Sequence, residues 1–277
     1  MTRFVEVSGG RIAYDVRGEG PLVILSPGMG NQRQAFRHLA PLLAEAGFRV
    51  ANVDMRGHGE SSMGWASITR TDVAEDLLAV IRELGGPAMI VGHSLSGGSA
   101  TIAAAMEPEL VSAIVELNPF TRKQSIDLGG LFTNQRYRKG LLRLAGTQIF
   151  KSLKMWLRYL DHAHVTRPAD HDQAMEALAA NLREPGRMAE FMKTTKSTPA
   201  DAHARLGDVK SPALIVMGLD DPDFADPKAE GDAVVALMPA GIGTVATLPG
   251  AGHYPHAEVP AELAALIVPF LKEHAVA

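Results

Sequence analysis

Ser94 sits in Val91-Gly92-His93-Ser94-Leu95-Ser96-Gly97-Gly98, between an apolar run and a helix-like run. Small residues two positions before and after a serine let a strained turn between strand and helix push its hydroxyl outward. Gly92 and Ser96 hold those positions. A serine hydroxyl is a weak nucleophile and needs a base. A histidine suits that task because it titrates near neutrality. His253, in Pro249-Gly250-Ala251-Gly252-His253-Tyr254-Pro255, is the best placed of the ten histidines. The imidazole in turn needs a carboxylate to orient it and to stabilise its cation. Asp220, Asp221 and Asp223 cluster in one loop, and Glu116 is a remote rival whose bland alternative is a charge facing solvent. The chemistry these residue types can do together is acyl transfer to water.

The elements that must position them alternate. Ile12, Tyr14 and Val16 mark a half-exposed early strand, and Leu22 to Leu25 is a short, wholly apolar run. Ala35 to Glu45 reads as a helix, Phe48 to Val53 as a strand, Arg70 to Leu84 as a helix and Ala88 to Val91 as a buried strand. A helix from Ser94 to Met106 and a strand from Val111 to Leu117 follow. The rhythm resumes late with strands at Ala213 to Met217 and Gly243 to Leu248, and helices at Pro227 to Met238 and Val259 to His274. Alternation of apolar strands with helices predicts an α/β fold, a parallel sheet with helices on both faces. Ligands of such sheets bind beyond the carboxyl ends of the strands, where Ser94, the Asp220–Asp223 cluster and His253 all fall.

Residues 1–120 and 207–277 form the expected core. Residues 121–206 read as an all-helical insertion that caps the site. Ten Lys or Arg face only Asp127 and Asp161 between Thr121 and Arg167. Arg143, Lys151, Lys154 and Arg158 fall on one helical arc, with Ile149, Leu153, Trp156 and Leu160 opposite. A solvated basic face is the plain reading. Attraction of an anionic substrate or an acidic carrier protein is the sharper one.

With these motifs in place, the chain resembles an α/β-hydrolase-fold serine hydrolase with a helical cap, up to about Asn118 and again from about Ser211. The resemblance implies a mostly parallel eight-stranded sheet and the chain order Ser94, acid, His253. In that family the acid follows Gly-x-x at a strand end, so Gly218-Leu219-Asp220-Asp221-Pro222 favours Asp221. Gly252-His253 resembles the family's Gly-His. Asp54-Met55-Arg56-Gly57-His58-Gly59-Glu60-Ser61-Ser62 resembles a structural loop, so His58 is expected to be structural, as is His93. The oxyanion hole is expected from the backbone N–H groups of Leu95 and Met29, although Pro27-Gly28-Met29 lacks the family's usual His before Gly. Epoxide hydrolases and haloalkane dehalogenases share the resemblance but use an Asp nucleophile, against which Ser94 argues.

Composition limits the remainder. Of the 277 residues 46% are apolar and 21% charged, ordinary for a globular chain large enough to bury a core. A formal net charge of −4 speaks against general nucleic-acid binding. The absence of cysteine excludes disulfides, a thiol nucleophile and Cys-ligated metals. There is no phosphate-binding Gly-x-x-x-x-Gly-Lys motif and no dinucleotide fingerprint. No cofactor and no metal are expected. His38, His162, His164, His171, His203 and His274 read as surface residues. No signal-peptide core or membrane span is legible, so a cytoplasmic protein without nucleic-acid or membrane partners is expected. The expected activity is hydrolysis of a small ester or lactone, apolar or anionic. Thioester cleavage, C–C bond hydrolysis and ligand sensing without turnover are the alternatives. Phe120 and Trp156 are the candidate substrate contacts, with Phe132, Phe150 and Met63 as further wall residues or ordinary core.

Overall fold

The computed structural model describes residues 1–276. Eight strands form one sheet: β1 (Arg3–Val7), β2 (Gly10–Arg17), β3 (Leu22–Ser26), β4 (Arg49–Val53), β5 (Ala88–His93), β6 (Val111–Leu117), β7 (Ala213–Gly218) and β8 (Gly243–Leu248). They lie in the order β1-β2-β4-β3-β5-β6-β7-β8. β2 runs antiparallel to both of its neighbours, and β3 to β8 are parallel. The sheet is thus mostly parallel, and the carboxyl ends of β3, β5, β7 and β8 share one edge.

Period-two alternation places side chains on the two faces. Val23, Leu25, Met89, Val91, Leu214 and Val216 face one helical layer, made by α1 (Leu39–Glu45) with Leu39 and Leu43 and by the C-terminal helix with Leu263, Ile267 and Leu271. Leu22, Ile24, Ile90 and Ile215 face the other, made by α2 (Arg70–Glu83) and α3 (Leu95–Met106). Thr69 and Asp72 close a reciprocal capping box at the start of α2.

Between β6 and β7 come α4 (Leu128–Thr133), α5 (Gln135–Phe150), α6 (Leu153–Ala163), α7 (His171–Arg183), α8 (Arg187–Thr194) and α9 (Ala200–His203). This helical cap has its own core of Trp156, Tyr159, Leu160, Leu178, Leu182 and Phe191, joined by Tyr254 of the sheet domain. α10 (Pro227–Val235), α11 (Pro255–Glu258) and α12 (Pro260–Glu273) complete the chain.

The helix expected over 259–274 forms as α12, with a separate turn, α11, before it. Two expectations are corrected. The helix expected over 35–45 is a short 3-10 turn, Arg33–Phe36, followed by α1. The single basic arc of the cap is two arcs, because Lys151 adopts φ 48, ψ 42 and separates α5 from α6. Ile149 is consequently not opposite the basic residues in a buried stripe; it is 72% exposed.

Candidate active site

The turn after β5 puts Ser94 at φ 54, ψ −115, a strained conformation for a residue with a side chain. It is tolerated because its surroundings over-determine it. A Cβ on Gly92 would lie 2.2 Å from the Ser96 carbonyl oxygen, so only glycine fits there. Ser96, the second small residue of the turn, also makes two bonds. Its hydroxyl donates to the Pro27 carbonyl at 2.6 Å and accepts from Ser26 Oγ at 2.9 Å, tying the turn to the loop after β3. Leu95 opens α3, so its N–H has no partner within the helix.

The loop after β3 carries Met29. Gly28 N donates to His93 Nδ1 at 3.2 Å and Gly30 N to His58 Nε2 at 3.0 Å. Gly30 has φ +65, and a Cβ there would come within 2.9 Å of both Phe191 and Trp156. Trp156 Nε1 donates to the Gly30 carbonyl at 3.3 Å. Trp156 is 1% exposed, inside the cap core, and clamps this loop from above. His58 and His93 thus hold backbone in place: His58 bonds to Arg56 O at 2.9 Å through its other nitrogen, and His93 Nε2 to His253 O at 2.7 Å.

His253 and Asp221 meet at the sheet edge, with Nδ1 2.7 Å from Asp221 Oδ2. Both are buried. Asp220 instead accepts from Gly250 N at 3.1 Å and does not reach the imidazole. Glu116, for which a solvent-facing position was the bland expectation, is fully buried and held by the hydroxyls of Thr101 and Thr121. Phe120 brackets the site: its N–H donates to the Ser94 carbonyl at 3.1 Å, and its ring lies 6.1 Å from the His253 ring. Ser94 Oγ is not hydrogen-bonded to His253 among the described residues; such contacts commonly tighten only around substrate.

Two partners, Asn118 and Glu258, escaped the sequence. Asn118 Oδ1 accepts from Gly218 N at 2.7 Å, and its Nδ2 donates to Gly252 O at 2.8 Å, locking the two loops that carry Asp221 and His253. Glu258 accepts from the N–H groups of Gly252 and Tyr254, on either side of His253. Asp223 places Oδ2 3.6 Å from His253 Nδ1 and accepts the Tyr159 hydroxyl from the cap at 2.6 Å. Burial pushes the His253 imidazole down, but the carboxylates of Asp221 and Asp223 outweigh it and raise it to about 9. Burial raises Asp223, with His253 pulling the other way. The ligand atoms of Asp221, Asp223 and His253 lie within 4.8 Å of one another, a spacing that could hold a cation. Asp221 Oδ2 is used by the imidazole and Asp223 Oδ2 by Tyr159, while Asp223 Oδ1 is buried without a partner.

A cavity of about 160 Å³ is lined by Phe120, Tyr137, Leu144 and Asp223. A neighbouring one of about 430 Å³ shares Gln124, Ser125, Ile126, Tyr137 and Asp223 with it, so the two form one cleft between cap and sheet edge. Phe132 and Phe150, considered as wall residues, point outward at 86% and 72% exposure.

A model of the alpha/beta hydrolase family matches residues 23–266. The chain belongs to the alpha/beta hydrolase family. It is 30% identical over 228 residues to the 2-(acetamidomethylene)succinate hydrolase of Mesorhizobium japonicum, covering 79% of this chain and 77% of that one. The enol-lactonase of Burkholderia xenovorans superposes with a TM-score of 0.78 at 19% identity, covering 98% of this chain and all of the other. The meta-cleavage product hydrolase of Pseudomonas fluorescens gives 0.78 at 20% identity, covering 98% and 97%. For these two structures the likeness is one of fold.

Four histidines give the family fold in this chain a particular acid sensitivity. His164 and His171, expected at the surface, are buried, with their rings 4.8 Å apart. His256 is fully buried against Phe36 and His93, and neither ring nitrogen has a partner. Burial pushes His58 and His164 down to about 4 and His93 and His256 well below the usual value. A histidine lowered on folding stabilises fully above its unfolded value near 6.5, and the contribution is lost as pH falls towards its folded value. At pH 5 the loss is about 2 kcal/mol for each of His58 and His164. Asp54, Asp76, Glu116, Asp223 and Glu258, raised by burial, and His253, raised by its two carboxylates, work in the opposite direction. The histidine part is therefore read by difference: His256→Phe should lose less of its thermal midpoint between pH 7 and pH 5 than the wild type in calorimetric scans. An equal change in both proteins would show that burial does not hold the His256 ring uncharged.

Proposed function

We propose that the protein is a serine hydrolase that cleaves a carboxylic ester or lactone through a covalent acyl-enzyme. Ser94 Oγ attacks the carbonyl carbon while His253 Nε2 takes the hydroxyl proton. Asp221 holds the other ring nitrogen and stabilises the imidazolium. The N–H groups of Leu95 and Met29 stabilise the oxyanion, which they do best where negative charge develops. His253 then gives its proton to the leaving alkoxide. In the second half-reaction it deprotonates water, which attacks the acyl carbon; the bond to Ser94 Oγ breaks, the acid leaves and His253 returns the proton to Ser94 Oγ. The acyl or alcohol part extends along the Phe120 wall of the cleft.

The observation that carries this reading is the 2.7 Å contact between His253 and Asp221 at the sheet edge that also presents Ser94 on its strained turn. The name of the Mesorhizobium relative's substrate contains an acetamido group. An acetamide therefore belongs beside short p-nitrophenyl esters and lactones in a substrate panel. A fluorophosphonate probe is expected to label the wild-type protein and not Ser94→Ala, and at least one panel compound should turn over. Absence of labelling in folded wild-type protein would reject the nucleophile. Labelling without turnover of any panel compound would favour a ligand sensor.

A further inference from the structure

The outer face of the cap combines two features that surfaces of globular proteins rarely combine. Leu128, Phe132, Leu142, Ile149 and Phe150 are 65–86% exposed, and all lie on α4 and α5. On α5, Leu142, Ile149 and Phe150 share one outward arc about 100° wide with Lys139. Phe132 stands one turn after Leu128 on α4, and Arg138 donates to the neighbouring Leu131 carbonyl at 2.8 Å. Arg138, Lys139 and Arg143 flank this strip on α5, Lys151 ends that helix, and Lys154 and Arg158 follow on α6, where the Arg158 carbonyl accepts from Arg143 at 3.0 Å. Among the described residues none of these six forms an ion pair; the cap cations that do are elsewhere. An exposed apolar patch of this kind marks an interaction site.

We propose that the outer face of α4 and α5 docks on an anionic phospholipid surface, with Phe132, Ile149 and Phe150 entering the acyl boundary and the surrounding Lys and Arg facing the headgroups. Charge complementarity selects this occupant: a strip of single protruding apolar side chains bordered by unpaired cations matches a fluid layer with negative headgroups. No helix among the described residues is long and apolar enough to cross a membrane, so the binding is peripheral. Ile126 and Leu128 line both this face and the 430 Å³ part of the cleft, so docking sets the cleft mouth beside the lipid layer. The sequence-based expectation of no membrane partner considered only spanning segments, and a peripheral surface of this kind lies outside it.

The test is co-sedimentation of the full chain with phosphatidylcholine vesicles and with vesicles carrying 30% phosphatidylglycerol, in 0.1 M and 0.5 M NaCl. The expected result is at least tenfold tighter binding to the anionic vesicles, reduced several-fold by the higher salt. The triple variant F132S/I149S/F150S and the pair K139E/K154E should each lose most of the binding. Circular dichroism and the thermal midpoint should stay at wild-type values, since all five side chains already face solvent. Equal binding to both vesicle types, or binding retained by both variants, would overturn the proposal. Concentration-dependent dimerisation abolished by the triple variant, without vesicle binding, would assign the face to a second copy of the chain and overturn it as well.

Discussion

Replacing Asp221 by Asn is expected to lower kcat/KM by about 10⁴, the scale on which an imidazole held in the wrong tautomer loses its use as a base. The effect is separable from that of Asp223, which faces the same ring nitrogen. Asp221 Oδ2 is at hydrogen-bond distance from Nδ1, whereas Asp223 Oδ2 is at 3.6 Å and already accepts the Tyr159 hydroxyl. Asp223 therefore acts on His253 mainly through its charge. Two carboxylates hold the imidazole up near 9, so much of it is protonated at neutral pH and unable to accept a proton. The acid limb of the wild-type kcat/KM profile should then lie on the alkaline side of neutrality. Asp223→Asn removes one of the two charges, so its acid limb should move to lower pH, by roughly one unit if the charge acts across a screened few ångströms. The plateau rate should change far less than in Asp221→Asn. Full pH–rate profiles of both variants on one ester decide the matter. A tenfold or smaller loss in Asp221→Asn together with a 10³-fold or larger loss in Asp223→Asn would exchange their roles.

What could be read from the chain and what could not follow from a difference in range. Ser94, Asp221 and His253 each lie in a loop just after an apolar strand, and such loops in a parallel sheet share an edge by construction. Their proximity therefore needs only local patterns and one topological rule. The expectation for Met29 comes instead from the family resemblance, which supplies the role of the loop after β3. Asn118 and Glu258 were not accessible, because their partners lie 100 residues away in one case and on both cap and sheet domain in the other. A buried Glu116 looks in sequence like any strand-end acid; only Thr101 and Thr121, brought in from α3 and the cap entrance, explain how it stays inside. Ser96 reads in sequence only as a small residue that leaves room for the turn, whereas its hydroxyl bridges two loops. The broken cap helix was hidden for another reason. Helical periodicity runs through Lys151 unchanged, and a left-handed lysine carries none of the signal that a glycine would.

Glu258 is where the fold and the site depend on one carboxylate. Its Oε2 accepts from Val165 N at 2.6 Å, Thr166 N at 3.0 Å and Gly252 N at 3.1 Å, and its Oε1 from Tyr254 N at 2.9 Å. The first two donors belong to the segment leaving α6, the others flank His253. Glu258 is 5% exposed, so water cannot replace it. Glu258→Gln keeps one acceptor oxygen but turns an N–H₂ group towards at least one backbone N–H. Charge-assisted bonds are lost and a donor is left facing a donor, a cost of about 2–4 kcal/mol. For a chain of this size that corresponds to a thermal midpoint lower by roughly 3–7 °C. Activity should fall too, measured well below the new midpoint, because the backbone on both sides of His253 loses its anchor. Glu116→Gln provides the contrast. Its carboxyl is raised to about 7 and bonded only by hydroxyls, which can turn to suit an amide. Its substitution should change stability by less than about 1 kcal/mol, a midpoint shift of no more than about 2 °C, and leave the rate near wild type. If Glu258→Gln lowers the midpoint but leaves kcat unchanged at low temperature, the carboxylate fastens the cap to the sheet domain and has no part in holding the imidazole.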